Sequence, residues 1–175
     1  MNGAWGAFCV TNFWEHFSAE KEVAQARNMA RAARDTGLKH VIWSTLEDTR
    51  AFFAPDGRRM PVLMGKYNVP HFDAKGEANA LFTSKVPTTL LYTSFYWDNL
   101  IHFGMGPKKG PEGVLAFTLP MADKRLYGIA AEDIGKCAFG IFSEGATHVG
   151  QSVGIAGEHL SGAQMAAELT RALGQ

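Results

Sequence analysis

The chain has 175 residues, 46% of them hydrophobic, and its 17 basic and 17 acidic residues give a formal net charge of zero. This apolar content predicts a folded unit with a core, and the neutral charge argues against a dedicated nucleic-acid binder. No apolar run approaches the ~20 residues that span a bilayer, and the first residues lack the basic and apolar regions of a signal peptide. We therefore expect neither nucleic acid nor a membrane as a direct partner.

The two cysteines, Cys9 and Cys137, both lie in apolar surroundings. Buried reduced thiols are favoured over a disulfide, which predicts a cytoplasmic protein, with the nucleus as a second location. Glu15 and Glu47 have no His or Cys at ligand spacing, so we predict no metal site.

Strands and helices alternate along the predicted secondary structure. Strands are predicted at 5–10, 39–44, 88–93, 114–119 and 151–155, and helices at 19–36, from Pro70 onward, at 95–103, 133–142 and 161–173. Residues 46–68 are predicted to be irregular because prolines and glycines break any periodicity, and the Gly/Pro/Lys run at 104–113 is predicted to be a flexible connection. Ser161 and Gln164 have the spacing of a capping box at the start of the last helix.

The alternation predicts an α/β fold, a doubly wound and mostly parallel sheet. In such sheets ligands bind at the carboxyl ends of the strands. Three pairs of polar residues fall at those predicted ends: Thr11-Asn12, Ser44-Thr45 and Thr93-Ser94. This pattern favours a small-molecule site there, independently of any family.

The segment VPHFDAKGE, residues 69–77, places His71 and Lys75 four residues apart. Four residues are about one helical turn, so both side chains lie on one face of the predicted helix. The pair resembles the Tyr and Lys of short-chain dehydrogenases, with a His where the phenol would be. In those enzymes the lysine holds the cofactor ribose and assists the phenol in proton transfer, so the resemblance favours nucleotide binding without efficient catalysis.

Four motifs in order resemble the NmrA-like family of atypical short-chain dehydrogenases: VTNFWE at 10–15, LKHVIWSTLED at 38–48, VPHFDAKGE, and FYWDNL at 95–100. The resemblance implies a Rossmann-like domain that binds NADP, in proteins mostly described as redox sensors. It further implies that Thr11, Asn12 and Phe13 line the cofactor and that Lys75 reaches the nicotinamide ribose. Residues Tyr96, Trp97, Asp98 and Asn99 would form a wall around the nicotinamide. A cofactor-facing lysine of the family is replaced here by Ala24.

A larger departure from the family is that the sequence has no glycine-rich turn between a first strand and a first helix. By this comparison, residues 1–103 resemble the C-terminal half of the nucleotide-binding domain. Residues 104–175 resemble part of a smaller α/β region for substrate or partner, and the chain is expected to be incomplete. Because pyrophosphate normally binds at that turn, we expect weak or no NADP binding by this chain alone. We also expect an unpaired apolar edge on the strand at 5–10.

Three functions remain open at this point. The first is an NADP-binding redox sensor or regulatory protein that acts on an unidentified protein partner. The second is an NADPH-dependent oxidoreductase of carbonyls or quinones, and the third a cofactor-free interaction module. A homodimer is one assembly that the sequence allows.

Several candidate residues have simpler interpretations as well. His71 is the candidate proton donor and Ser44 the candidate carbonyl-polarising residue, although a helix cap for His71 and turn chemistry for Ser44 are the favoured explanations. Lys75 has the alternative of a solvated helix lysine. The segment 46–68 carries three arginines that either hold an anionic ligand or a partner or lie in a solvated loop: Arg50, Arg58 and Arg59.

Overall fold

The computed structural model describes residues 1–53 and 60–174. Packing divides the chain into two compact units. The first comprises Met1–Thr93 and Ala138–Gly154, and the second comprises Ser94–Cys137 and Ile155–Gln175. These units are defined by packing within this chain, and the domain boundary at residue 103 that the family pattern suggests stays a prediction.

The first unit is built on a four-stranded sheet in which every neighbouring pair is parallel. Its strands stand in the order β1 (Gly6–Cys9), β2 (His40–Thr45), β3 (Thr88–Tyr92) and β8 (Ser152–Gly154). All six residues of β2 are buried, which explains why its sequence is a continuous run rather than an alternation. The four strands predicted for this part of the chain are confirmed.

Helix α1 (Ala19–Asp35) follows β1 and packs on the sheet through small side chains. Its N-terminus is capped by Ser18, whose hydroxyl accepts from the Lys21 backbone N–H. The predicted stripe of Val23, Ala26, Ala30 and Ala33 is buried. Beyond its end, Gly37 adopts φ +66°, a conformation that glycine takes at little cost, so the predicted stop is confirmed.

Helix α2 (Pro70–Thr83) covers the same face of the sheet as α1, with Pro70 in its first turn. Its main anchor is Phe82, which is fully buried and stacks on Trp43 with ring centroids 4.5 Å apart. The opposite face is covered by the end of α4 (Ala131–Ser143), where Phe142 contacts His40 edge-on. Helices on both faces make this a doubly wound sheet, so the predicted fold class is confirmed.

Strand β1 forms one edge of the four-stranded sheet. Within the described ranges it pairs with β2 alone, and its Phe8 side chain is 38% exposed. The expected apolar edge is therefore present.

The second unit contains short elements, several of which were not predicted. A three-stranded sheet has the order β4 (Phe95–Tyr96), β7 (Leu126–Ile129) and β9 (Glu158–Leu160), and a hairpin joins β5 (Lys108–Lys109) to β6 (Leu115–Ala116). The helices are α3 (Asn99–His102), the first part of α4, and α5 (Gly162–Leu173), whose capping box between Ser161 and Gln164 is confirmed.

The helix predicted over 95–103 is wrong in its first half. Residues Phe95–Tyr96 extend and pair with β7, so the helix begins only at Asn99. The connection predicted over 104–113 contains the two-residue strand β5. Among the described residues, no helix combines the length and the apolar character needed to cross a membrane.

Candidate functional site

The Lys75 amine points toward the chain that leaves the carboxyl end of β1. Its Nζ donates to the Thr11 carbonyl at 3.1 Å and to the Thr11 hydroxyl at 2.9 Å. It also lies 3.2 Å from Oε1 of Glu22, and the Lys75 side chain is only 12% exposed. The alternative of a solvated helix lysine is therefore wrong.

Three elements bring these groups together. Lys75 lies in the second turn of α2, Thr11 follows β1, and Glu22 lies in the first turn of α1. Because α1 and α2 pack side by side on the sheet, the acidic side chain of one helix reaches the basic side chain of the other. The fully buried Trp43 ring closes the site on the sheet side, with its centroid 5.1 Å from Nζ.

Glu22 is the residue of this cluster that sequence reasoning missed. It is fully buried, and its Oε1 accepts a 2.5 Å hydrogen bond from the Thr11 hydroxyl. The signal was available: position 22 lies three residues after Ala19 and four before Ala26, on the buried stripe of α1. A carboxylate on a stripe of small apolar residues indicates a buried partner.

Burial lowers the pKa of the Lys75 amine below its usual value, because the ammonium loses water. The Glu22 carboxylate opposes that shift through charge and hydrogen bonding. An ammonium has three N–H donors. In this structure the Thr11 carbonyl, the Thr11 hydroxyl and Glu22 provide an acceptor for each of them.

His71 lies one turn before Lys75 and is half-buried among aromatic rings. Ring centroids of Trp14 and Phe72 are each 4.9 Å away, and that of Phe13 is 5.7 Å away. Burial is the main cause that lowers the pKa of His71, and the nearby Lys75 charge adds to it. The ring is therefore neutral at pH 7.

The three residues after β1 that were predicted to line the cofactor differ in burial and contacts: Thr11, Asn12 and Phe13. Thr11 is buried against Lys75, whereas Asn12 is exposed and makes no cap hydrogen bond with its side chain. Phe13 is buried in a cluster with Val23, Tyr67 and Ala74, which makes it part of the core. The cofactor roles of these residues stay predictions.

Ser44 is buried in β2, but the structure does not bring it toward α2. Its neighbours Trp43 and Thr45 both donate hydrogen bonds to Asn79 of α2, at 3.1 and 2.7 Å. Successive side chains of a strand point to opposite faces, so Ser44 points to the other face of the sheet. The catalytic role of Ser44 stays a prediction. Lys75 and His71 lie on α2, which covers the opposite face of the sheet.

The segment that follows β2 is fastened to α2 by ion pairs. The Arg50 guanidinium bonds to Asp48 (2.6 Å) and lies 3.4 Å from Glu77, which also pairs with Lys66 at 2.9 Å. The Arg50 guanidinium is thus already paired with two carboxylates, which argues against its predicted role as an anion ligand. Arg58 and Arg59 lie outside the described residues.

The four residues predicted to surround the nicotinamide belong to the second unit. Tyr96 ends β4, and Asn99 begins α3. Trp97 packs so closely on Gly128 that a Cβ there would lie 2.1 Å from the indole. The Asp98 carboxylate accepts from the backbone N–H of Ala131, at the start of α4, at 2.8 Å. Trp97 and Asp98 therefore have structural contacts within their own unit, and the cofactor roles stay predictions.

The first unit contains a cleft of about 480 Å³ at the carboxyl ends of β2, β3 and β8. Its lining includes Glu47, Phe52, Asn79 and Tyr92. The Tyr92 hydroxyl accepts a 3.2 Å hydrogen bond from the Asn79 amide and keeps its own proton to donate. Over the described ranges, no group of three or more His, Cys, Asp or Glu is arranged to hold a metal ion.

Comparison with known proteins identifies relatives of this architecture. A sequence model of the NmrA-like family matches residues 1–175. Among solved structures, a nucleoside-diphosphate-sugar epimerase from Staphylococcus aureus is 19% identical with a TM-score of 0.69, and the match covers 99% of this chain and 55% of the epimerase. The triphenylmethane reductase of Citrobacter sp. complexed with NADP(H) is 15% identical with a TM-score of 0.73, over 99% of this chain and 54% of the reductase.

A short-chain dehydrogenase/reductase superfamily protein from Agrobacterium tumefaciens with bound NAD is 11% identical, with a TM-score of 0.66 over 98% of this chain and 66% of that protein. The shared fold is Rossmann-like. The chain spans about half the length of the first two of these structures.

Proposed function

This chain belongs to the NmrA-like family, and on that basis we propose that it is an NADP-binding, dehydrogenase-like regulatory protein, a redox sensor without efficient catalysis. The observation that carries this proposal is the inward Lys75 amine beside Thr11, at the carboxyl end of β1. Ligands of doubly wound sheets bind at such strand ends. The NADP(H) of the Citrobacter reductase and the NAD of the Agrobacterium protein support a nicotinamide dinucleotide as the ligand class.

The residues at Lys75 fit the hydroxyl groups of a ribose. An ammonium donates to hydroxyl oxygens, and a carboxylate such as Glu22 accepts from hydroxyl hydrogens. The Thr11 hydroxyl already bonds to both Lys75 and Glu22. A ribose hydroxyl would therefore replace it or bond to Lys75 and Glu22 beside it. The bound cofactor would supply hydride chemistry, while this chain would hold and orient the ribose.

The weak catalytic capacity follows from His71. A neutral imidazole is a very weak acid, and the lowered pKa of His71 keeps it neutral at pH 7. His71 therefore makes a poor substitute for the phenol of an active dehydrogenase, although a ring packed among Phe13, Trp14 and Phe72 can still contact a nicotinamide.

The regulatory part of the proposal concerns segment 46–68 and a protein partner of unidentified class. Arg50 and Lys66 of this segment both pair with Glu77 of α2, the helix that carries Lys75. A ligand that moves Lys75 would therefore also act on this segment. Because the sequence has no glycine-rich turn to bind pyrophosphate, we expect NADPH to bind this chain weakly.

Limited proteolysis with and without saturating NADPH tests the regulatory role. We expect NADPH to slow cleavage within residues 46–68 in the wild type and to have no effect on Lys75→Met. Identical digestion patterns with and without NADPH would contradict the proposal. A fluorescence titration gives the affinity, and micromolar or tighter binding would overturn the expectation of weak binding.

A second candidate function is an active NADPH-dependent reductase of a carbonyl or quinone. The observation that favours it is the Tyr92 phenol in the cleft, held by Asn79 and free to donate its proton. Steady NADPH consumption with a quinone or aldehyde, lost in Tyr92→Phe and in Lys75→Ala, would support this candidate over the sensor.

A further inference from the structure

Lys75, Thr11 and Glu22 form a closed hydrogen-bonded cycle in the first unit. The amine donates to the Thr11 hydroxyl (2.9 Å), the hydroxyl donates to Glu22 Oε1 (2.5 Å), and Oε1 lies 3.2 Å from the amine. The Thr11 oxygen is thus an acceptor and a donor at once, because it is a hydroxyl. No group that only accepts could take its place in this cycle.

We propose that Glu22 determines specificity at this site: paired with Lys75, it selects a ligand hydroxyl and rejects sulfate and carboxylate groups, which carry no proton. The inference deepens the proposed function and rests on it to the extent that the hydroxyl belongs to a ribose. A hydroxyl satisfies both members of the pair, as Thr11 does. An anion would satisfy Lys75 but would face the Glu22 carboxylate without a proton to share.

Burial strengthens this discrimination. Glu22 is fully buried and the Lys75 side chain is 12% exposed, so solvent screens their charges weakly. The Trp43 ring covers the amine from the sheet side. A ligand that reaches Nζ must therefore come close to Glu22 as well.

The second carboxylate oxygen of Glu22 indicates that this buried charge has a role besides packing. Within the described part of the chain, Glu22 Oε2 has no hydrogen-bond partner, and the ring nitrogen Nε2 of His16 lies 3.6 Å from it. The His16 Nδ1 accepts from the Ser18 backbone N–H, so a neutral ring carries its proton on Nε2, which lies 3.3 Å from the Gln25 amide oxygen and leaves Glu22 Oε2 without a donor. A buried oxygen left without a hydrogen bond costs stability, which a residue with only a structural role would avoid.

Binding of sulfate, an anion without a proton, to Glu22→Gln tests the inference. We expect sulfate to bind this variant on the order of a hundredfold more tightly than the wild type, the effect of removing one negative charge about 5 Å from the anion at an effective dielectric constant near ~20. Isothermal titration calorimetry gives the two affinities.

Two control variants identify the cause. Glu20→Gln removes an exposed carboxylate from the same helix and should change nothing, and Glu22→Gln with Lys75→Met should lose the gained affinity. A folded Glu22→Gln that gains no affinity, or a gain that survives loss of Lys75, overturns the inference.

A second measurement on the wild type covers the case in which Glu22→Gln does not fold. Acetylation of Lys75 by acetic anhydride, followed by mass spectrometry, should be slowed by molar ribose and not by sulfate. Any other pattern of protection overturns the inference. Neither experiment uses NADPH, so a failure of NADPH to bind would count against the proposed function and leave this result intact.

Discussion

Asp73 and Thr49 are joined by two hydrogen bonds to one carboxylate oxygen, from the Thr49 backbone N–H at 2.8 Å and from its hydroxyl at 2.6 Å. The other Asp73 oxygen accepts from the backbone N–H groups of Asn68, at 2.7 Å, and Val69, at 3.0 Å. Asp73 is fully buried and lies two residues before Lys75. One carboxylate therefore ties both ends of the segment after β2 to the helix that carries the candidate site.

Asp73→Asn should destabilise the protein by about 2–4 kcal/mol, because one amide oxygen cannot accept from all four donors and its NH₂ group faces two of them. Urea unfolding measures the change. Asp35→Asn is the matched control, since Asp35 pairs with Arg34 in solvent, and it should cost less than about 0.5 kcal/mol. Equal effects of the two substitutions would contradict this role of Asp73.

His40 should make the protein less stable in acid. Its Nε2 lies 2.8 Å from the Thr89 hydroxyl, which itself donates to the His148 carbonyl, so the proton of the neutral ring is on Nε2. Its buried Nδ1 has no hydrogen-bond partner among the described residues. Burial first, and the His148 charge second, lower the pKa of His40 from 6.5.

The sign of the pH effect follows from that direction. Below pH 6.5 the unfolded chain binds a proton at His40 that the folded chain does not bind. The free energy of unfolding therefore falls as the pH drops from 6.5 to the pKa of His40 in the folded protein. His40→Gln keeps a donor for Thr89 without titrating, and we expect a flatter pH dependence in that window. His102→Gln, at an exposed position, should leave the dependence unchanged. A wild-type slope retained in His40→Gln would contradict the prediction.

Cys9 should react slowly with alkylating reagents in the native protein. Burial raises the pKa of its thiol from 9.0 to about 11. At pH 8 this leaves about a hundredfold less thiolate than an unshifted thiol would have, before steric protection is counted. Mass spectrometry after iodoacetamide treatment should show Cys137, which is half-buried, modified first. Equal native rates for both cysteines would be inconsistent with this environment.

How far the sequence predicts this structure depends on the length of each element. Apolar runs predict β1, β2, β3 and β8, and the small-residue stripe predicts α1, because each pattern extends over enough residues to be recognised. Strands β7 and β9 have four and three residues and no clear alternation, so nothing local marks them. Residues Phe95–Tyr96 are extended because of their pairing with β7, a tertiary contact that their helix-like surroundings do not reveal.

The candidate site was predictable in part for a similar reason. The spacing of His71 and Lys75 predicts their common helix face, and the strand-end rule predicts Thr11 at the carboxyl edge of the sheet. That Thr11 and Lys75 share one site was implied by the family resemblance alone. The position of Glu22 on the apolar stripe of α1 indicates burial, but its partner Lys75 is distant in sequence. The same holds for Thr49, the partner of the buried Asp73, so the sequence reveals neither pairing. Which sheet face Ser44 occupies depends on the register of β2 against α2, which a single strand sequence does not define.

Binding of reduced nicotinamide riboside, which carries the nicotinamide and its ribose without phosphate or adenine, tests the central claim most directly. Ligand-observed NMR should show weak binding to the wild type. Lys75→Met should bind about tenfold more weakly, as expected for loss of a hydrogen bond to a charged group. Lys85→Met, at an exposed position after α2, should bind like the wild type. Equal binding by the wild type and Lys75→Met, or no binding by either, would contradict the account.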